Sequence, residues 1–117
     1  MSAALLERLA AIVGPTQLLT SAGGADLTAW ELDQRRRWRG HALAVVRPGS
    51  LVEQWRVLQA AIAAGRVVIF QAANTGLTGG STPWGDDYDR EIVLVSLRRL
   101  KGVHLIEEGR QVVCLPG

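Results

Sequence analysis

The 117-residue sequence holds one cysteine, one tyrosine, one phenylalanine and, among thirteen basic residues, one lysine. A lone Cys114 excludes an internal disulfide framework and points to a reducing compartment, the cytoplasm by default. Placed in an apolar stretch, that thiol reads as an inert core residue. With Lys101 the only lysine, no glycine-rich stretch can complete the P-loop pattern Gly-x-x-x-x-Gly-Lys-Ser/Thr. No apolar run approaches the ~20 residues that a membrane span needs. The opening residues 1–14 carry Glu7 and Arg8 within their apolar stretch and do not read as a secretory signal. Histidine is scarce too. His41 and His104 lie in different elements, where each reads as a polar boundary residue. Two histidines and one cysteine at scattered positions do not supply the three or four ligands of a zinc site. Ser81 and Thr82 have no histidine near them in sequence, so a hydrolytic nucleophile lacks its base. No residue set here performs chemistry unaided.

What is present is a folded, one-core composition, 48% hydrophobic and 21% charged, without repeats or low-complexity tracts. Leu5, Leu6, Leu9, Ile12 and Val13 recur at helical spacing, so residues 3–13 read as an amphipathic helix capped by Ser2 and stopped by Gly14-Pro15. Its apolar face is expected in the core, with Leu18-Leu19 a further small anchor. Residues 20–40 are poorly patterned, with room for a short helix from Asp26. Ala42–Arg47 reads as a buried strand ended by Pro48-Gly49. Ser50 and Glu53 then form a capping box, and a helix runs to about Ala64 with Leu51, Trp55, Leu58 and Ile62 along one stripe. Gly65 is its expected left-handed stop. Val67–Phe70 is a second apolar strand. Strand–helix–strand with so little linker predicts a βαβ unit with parallel strands and a right-handed crossover. Glu91–Leu97 is a third strand; Val103–Ile106 and Gln111–Leu115 form a hairpin turning at Gly109. The class is α/β, with α+β character from that hairpin.

The informative stretch follows the second strand: Gln71-Ala-Ala-Asn-Thr-Gly-Leu-Thr-Gly-Gly-Ser-Thr-Pro83. Gly76, Gly79 and Gly80 fall within five residues, interleaved with Asn74, Thr75, Thr78, Ser81 and Thr82. Glycine lets a backbone approach a ligand closely, and consecutive N–H groups in such a turn form a concave anion site. In open α/β sheets, ligands bind at the carboxyl ends of parallel strands, which is where this loop falls. The Rossmann spacing Gly-x-Gly-x-x-Gly is absent, and Pro83, Gly85 and an acidic group follow instead of a helix. A ligand-free surface connection is the plainer alternative. Asp86, Asp87 and Asp89 lack calcium-loop spacing and read as a polar turn.

The run from Gln71 to Arg90 resembles the pyrophosphate loop of the FAD-linked, quinone-dependent D-lactate dehydrogenases, flavoproteins with a vanillyl-alcohol-oxidase or PCMH-type FAD-binding domain. Residues 42–58 resemble that family's first strand and helix. The resemblance is most specific over 42–58 and 71–90 and weakest over 22–41. It implies a single incomplete domain, with residues 1–41 a helical arm and 42–117 the first subdomain of an FAD-binding domain. It also implies non-covalent FAD, with Ala72, Ala73, Asn74, Thr75 and Gly76 holding the pyrophosphate chiefly by backbone N–H groups. Gly80 and Ser81 complete that contact. The family oxidises D-lactate to pyruvate and passes electrons to membrane quinone, as peripheral proteins on the cytoplasmic face of the inner membrane. Its members run to several hundred residues, so this chain is expected to be an N-terminal fragment, inactive alone. D-lactate and quinone would be handled by parts it lacks, and another chain could complete the domain.

Two readings compete. Arg35, Arg36, Arg37 and Arg39 with Trp38 between them could contact nucleic acid or an anionic membrane. A solvated face neutralised by Glu31 and Asp33 is the plainer account, and no nucleic-acid partner is expected. The other reading is a non-functional remnant whose apolar edge at Val113–Leu115 invites association.

Overall fold

The computed structural model describes residues 2–85 and 87–117. In chain order the elements are α1 (Ser2–Val13), β1 (Leu18–Leu19), α2 (Thr28–Glu31), β2 (Ala44–Val46), α3 (Leu51–Ala63), β3 (Val67–Gln71), β4 (Ile92–Ser96), β5 (Val103–Ile106) and β6 (Gln111–Cys114). Four strands form one sheet in the order β1-β2-β4-β3, in which β2 and β3 both run parallel to β4 and β1 is antiparallel to β2.

The expected βαβ unit forms, and its strands are parallel, but they are not neighbours. β4 lies between them, in register Ala44↔Val93 on one side and Val67↔Ile92 on the other. Burial explains the insertion. Every residue of β4 is buried, whereas β3 carries an exposed Phe70 and half-buried Val67 and Val68. A strand that is apolar on both faces belongs at the centre of a covered parallel sheet.

Alternation along the strands divides the core in two. Ala44, Val46, Val93 and Val95 point to one face and pack with Leu5, Leu9 and Val13 of α1 and Val57, Ala60 and Ala61 of α3. Val45, Ile69, Ile92 and Leu94 point to the other face, where Leu27, Leu19 and Trp30 cover them. This is the period-two consequence of strand geometry.

The capping box at the start of α3 is present: Ser50 Oγ accepts the Glu53 N–H at 3.1 Å, and Glu53 reaches back to the Gly49 N–H at 2.6 Å. Gly65 follows α3 with φ +65, as the stop signal predicts. The expected stripe on α3 is corrected. Leu51, Trp55 and Ile62 are 56–62% exposed, and the helix instead packs through Val57, Ala60 and Ala61. Small residues let α3 lie close to the sheet and to α1, so its larger side chains turn outward. Ser2 is likewise not a free cap. It is the first residue described in α1, and its hydroxyl donates to Glu91 Oε2 at 2.7 Å, with Arg66 clamped to the same carboxylate at 3.0 Å.

β5 and β6 form the predicted hairpin, turning through a short 3-10 segment, Glu107–Gly109, with Gly109 at φ +87. It stands apart from the main sheet, and every residue in both strands is exposed. Cys114 is therefore an exposed thiol rather than a core one. His41 and His104 are also exposed. Of the acidic group, Asp86 lies outside the described residues; Asp87 and Asp89 sit on exposed irregular chain, with Asp89 paired to Arg90 at 2.9 Å.

Candidate functional site

β3 ends at Gln71, and the glycine-rich loop leaves from that carboxyl end. Gln71 ends an apolar strand as a buried amide, 2% exposed. Its Nε2 donates to the Trp30 carbonyl at 2.9 Å and to the Ser81 carbonyl at 2.8 Å. One side chain thus pins the return of the loop to the segment at α2. A buried amide is kept only where its hydrogen bonds are met, and here two carbonyls meet it.

Asn74 repeats the device from inside the loop. Its backbone sits in the left-handed region at φ 56, which asparagine tolerates better than most residues. Its Nδ2 donates to the carbonyls of Leu32 at 2.7 Å and Ala29 at 3.3 Å, leaving Oδ1 to accept the Ser81 hydroxyl at 3.1 Å. The side chains of Asn74 and Ser81, two of the predicted site residues, therefore meet across the loop and brace it.

Ala73, Thr75, Gly76 and Gly80 are exposed, and Ala72 is half-buried. Among the described residues, none accepts a hydrogen bond from the backbone N–H groups of residues 72–81. Backbone donors left open in a braced loop are suited to an anion, because a concave run of N–H groups carries a partial positive charge. A Cβ on Gly76 would meet nothing within 4 Å, so the space beside that backbone is open. Thr82, directly behind Ser81, is 1% exposed and keeps its hydroxyl without a partner among the described residues.

The segment under the loop is organised by two buried carboxylates that the sequence offered only as neutralising charges. Asp33, 3% exposed, accepts the N–H groups of Arg37 at 2.6 Å, Trp38 at 2.8 Å and Arg35 at 3.2 Å. The Trp38 N–H foremost, with those of Arg35 and Arg37, holds this carboxyl below its ordinary value of 3.8. Glu31 accepts the Ala42 N–H at 3.0 Å and lies 3.8 Å from Arg39. Arg35, Arg36, Arg37 and Arg39 are exposed on the resulting turn.

Trp38 leaves that basic surface. Its six-membered ring lies over Gly79, where a Cβ would come within 2.6 Å of it, and Gly79 holds φ +74. Glycine is required there on both counts. Trp38 also meets Trp84 edge to face, with centroids 6.1 Å apart and planes at 83°. Gly40 is held against the Pro83 carbonyl so closely that no side chain fits. Sequence reading singled out Gly79 in the loop and Trp38 among the arginines but not their contact, and it gave no role to Gln71 or Trp84. A polar residue ending the run Val67–Phe70 was the one available signal.

A cavity of about 580 Å³ opens beside Ala73 and Asn74, lined also by Asp26, Thr28, Asp33 and Arg36. A second, of about 290 Å³, opens beside Thr78 and Gly79 and is walled by Trp38, Trp84 and Tyr88. The braced loop runs between them.

No family model matches the chain. It is 49% identical over 114 residues to the quinone-dependent D-lactate dehydrogenase of Escherichia coli (strain K12), a match covering 97% of this chain and 19% of that protein. The enzyme of the same name from Haemophilus influenzae is 47% identical over 115 residues, covering 97% and 20%. The chain thus spans about a fifth of the length of the curated relatives it matches. Among solved structures, an alkyldihydroxyacetonephosphate synthase superposes with a TM-score of 0.70 at 20% identity, covering 88% of this chain and 20% of that one. A berberine bridge enzyme superposes with a TM-score of 0.66 at 16% identity, covering 92% and 22%. By sequence the chain is similar to about a fifth of the length of proteins named quinone-dependent D-lactate dehydrogenases, and its fold is that of the PCMH-type FAD-binding domains.

Proposed function

We propose that this chain forms the pyrophosphate-holding part of an FAD site in a flavin-dependent oxidoreductase that converts D-lactate to pyruvate with a quinone as acceptor. The observation that carries the reading is the open run of backbone N–H groups over residues 72–81, braced by Gln71 and Asn74 at the carboxyl end of a parallel strand. The match to proteins named quinone-dependent D-lactate dehydrogenases supports the reaction and the acceptor.

The residues present fit the group. Ala72, Ala73, Asn74, Thr75 and Gly76 would hold the pyrophosphate chiefly by backbone N–H groups, and Gly80 and Ser81 would complete that contact. The open space at Gly76 admits a phosphate oxygen to the backbone. An FAD held there would supply the two-electron acceptor for oxidation of the carbon that bears the hydroxyl. What this chain contributes is binding and orientation: backbone dipoles offset the pyrophosphate charge, and Gln71 and Asn74 keep those dipoles aimed without rearrangement on binding. Residues 1–41 act as an arm that completes the sheet through β1 and supplies the carbonyls Asn74 holds; residues 42–117 make the first subdomain. D-lactate and quinone are handled by regions of the enzyme outside the matched fifth. A quinone acceptor would bring the whole enzyme to a membrane, and the family resemblance suggests the cytoplasmic face of the inner one; no helix among the described residues is long and apolar enough to cross a membrane.

The test is titration of the 117-residue chain with FAD, following flavin fluorescence and thermal stability together. Saturable binding with stabilisation is expected, without D-lactate oxidation by this chain alone. A titration with neither signal would overturn the half-site.

A further inference from the structure

The aromatic corner at Trp38 and Trp84 is more than packing. Trp38 lies on Gly79, at the cost of a left-handed backbone there, and Trp84 stands at 83° to it. An edge-to-face pair engages one ring's face and the other's edge, so indole face remains available to a third aromatic group. Trp84 is 42% exposed and Tyr88 38% exposed, although large aromatic side chains gain by burial. The space between them is a cavity of about 290 Å³, and its two remaining lining residues, Thr78 and Gly79, belong to the loop with the open N–H groups. An aromatic-walled cavity continuous with an anion-binding backbone is suited to a planar ring joined to a phosphate.

We propose that Trp38, Trp84 and Tyr88 form a stacking subsite for a planar heteroaromatic ring of the ligand whose phosphates lie on residues 72–81. This rests on the reading of that loop as a phosphate site, and it extends the site beyond the loop to three aromatic residues. It also gives Trp38 a place in binding distinct from the arginines beside it. The flavin and the adenine of FAD share the chemistry, and a phosphate-matched set of probes separates them. Trp84, the most exposed of the three at 42%, is the side chain on which the ring would stack.

The experiment is calorimetric titration of the full chain, its Trp84→Ala variant and its Trp84→Phe variant with FMN, ADP, inorganic pyrophosphate, riboflavin and adenosine. Stacking on an aromatic side chain is worth enough that Trp84→Ala should weaken one ring-bearing probe about tenfold or more. Trp84→Phe should restore most of that loss, and pyrophosphate should bind equally to all three proteins. A loss confined to FMN and riboflavin assigns the flavin ring; one confined to ADP and adenosine assigns adenine. Equal affinities of all probes for wild type and Trp84→Ala would overturn the subsite and leave the phosphate loop standing. Binding of riboflavin or adenosine that depends on Trp84, without binding of pyrophosphate, would overturn the loop instead. Binding of none of the five overturns both. Circular dichroism checks that each variant folds; if Trp84→Ala does not, Trp84→Leu and Tyr88→Ala carry the same comparison.

Discussion

Asn74 and Ser81 face each other across the glycine-rich loop, the Ser81 hydroxyl donating to Asn74 Oδ1 at 3.1 Å while the Asn74 amide holds the Leu32 carbonyl at 2.7 Å. Asparagine is the residue that can do both and sit at φ 56. Asn74→Ala is expected to cost about 1–3 kcal/mol, the range for leaving partly buried partners unsatisfied. Asn74→Gly, which relieves the backbone but not the lost bonds, should recover only part of it. Urea denaturation of the three proteins measures the series, and a variant as stable as wild type would show that the brace is dispensable.

Gly76 separates binding from folding. It has no positive φ, and an added Cβ meets nothing within 4 Å. Gly76→Val should therefore change stability by no more than about 0.5 kcal/mol, as surface substitutions do. It should nevertheless obstruct a phosphate on the loop and lower FAD affinity at least about tenfold, a loss of about 1.4 kcal/mol. FAD titration alongside thermal melting reads the two effects separately. Unchanged flavin binding would remove the loop from the site.

The outward turn of α3 makes a paired prediction. Leu9 is fully buried between α1 and the sheet, and Leu9→Ala should cost about 2–5 kcal/mol. Trp55, 59% exposed, should tolerate Trp55→Ser within about 0.5 kcal/mol despite its size. Chemical denaturation of the Trp55 variant tests the orientation of α3, with Leu9→Ala on α1 as the buried reference.

Asp33 predicts an acid response with a definite sign. Its folded carboxyl is held below the ordinary 3.8, because the N–H groups of Trp38, Arg35 and Arg37 favour the charged form. The stability it contributes is present above that ordinary value and is lost as pH falls through the depressed one. Asp33→Asn should be less stable than wild type at pH 7, and the gap should narrow as pH falls below 3.8. Melting curves between pH 7 and pH 2 test this, and a gap independent of pH would exclude the carboxylate as its source.

Local chemistry made much of the fold legible in advance. The Ser50–Glu53 cap, the left-handed Gly65, the apolar runs of β2, β3 and β4 and the hairpin turn at Gly109 each depend on residues within a few positions of one another. The seven predicted loop residues were named through resemblance, and the structure places them on one braced loop with open N–H groups. Side choice was not legible. α3 carries apolar residues all round, and which stripe was buried depended on how closely Ala60 and Ala61 let it approach the sheet. Cys114 lies in an apolar strand whose exposure depends on whether another layer covers β5 and β6.

The sequence by itself determined the longer elements, the start and stop of α3 and the position of the glycine-rich loop after a parallel strand, because these follow from backbone sterics and periodicity over short distances. Only the tertiary structure decided that β4 enters between β2 and β3, that Gln71 and Asn74 hold the carbonyls of a segment some forty residues earlier, and that Trp38 closes on Gly79. Those contacts join distant parts of the chain, and they form only where the burial of two apolar faces brings those parts together.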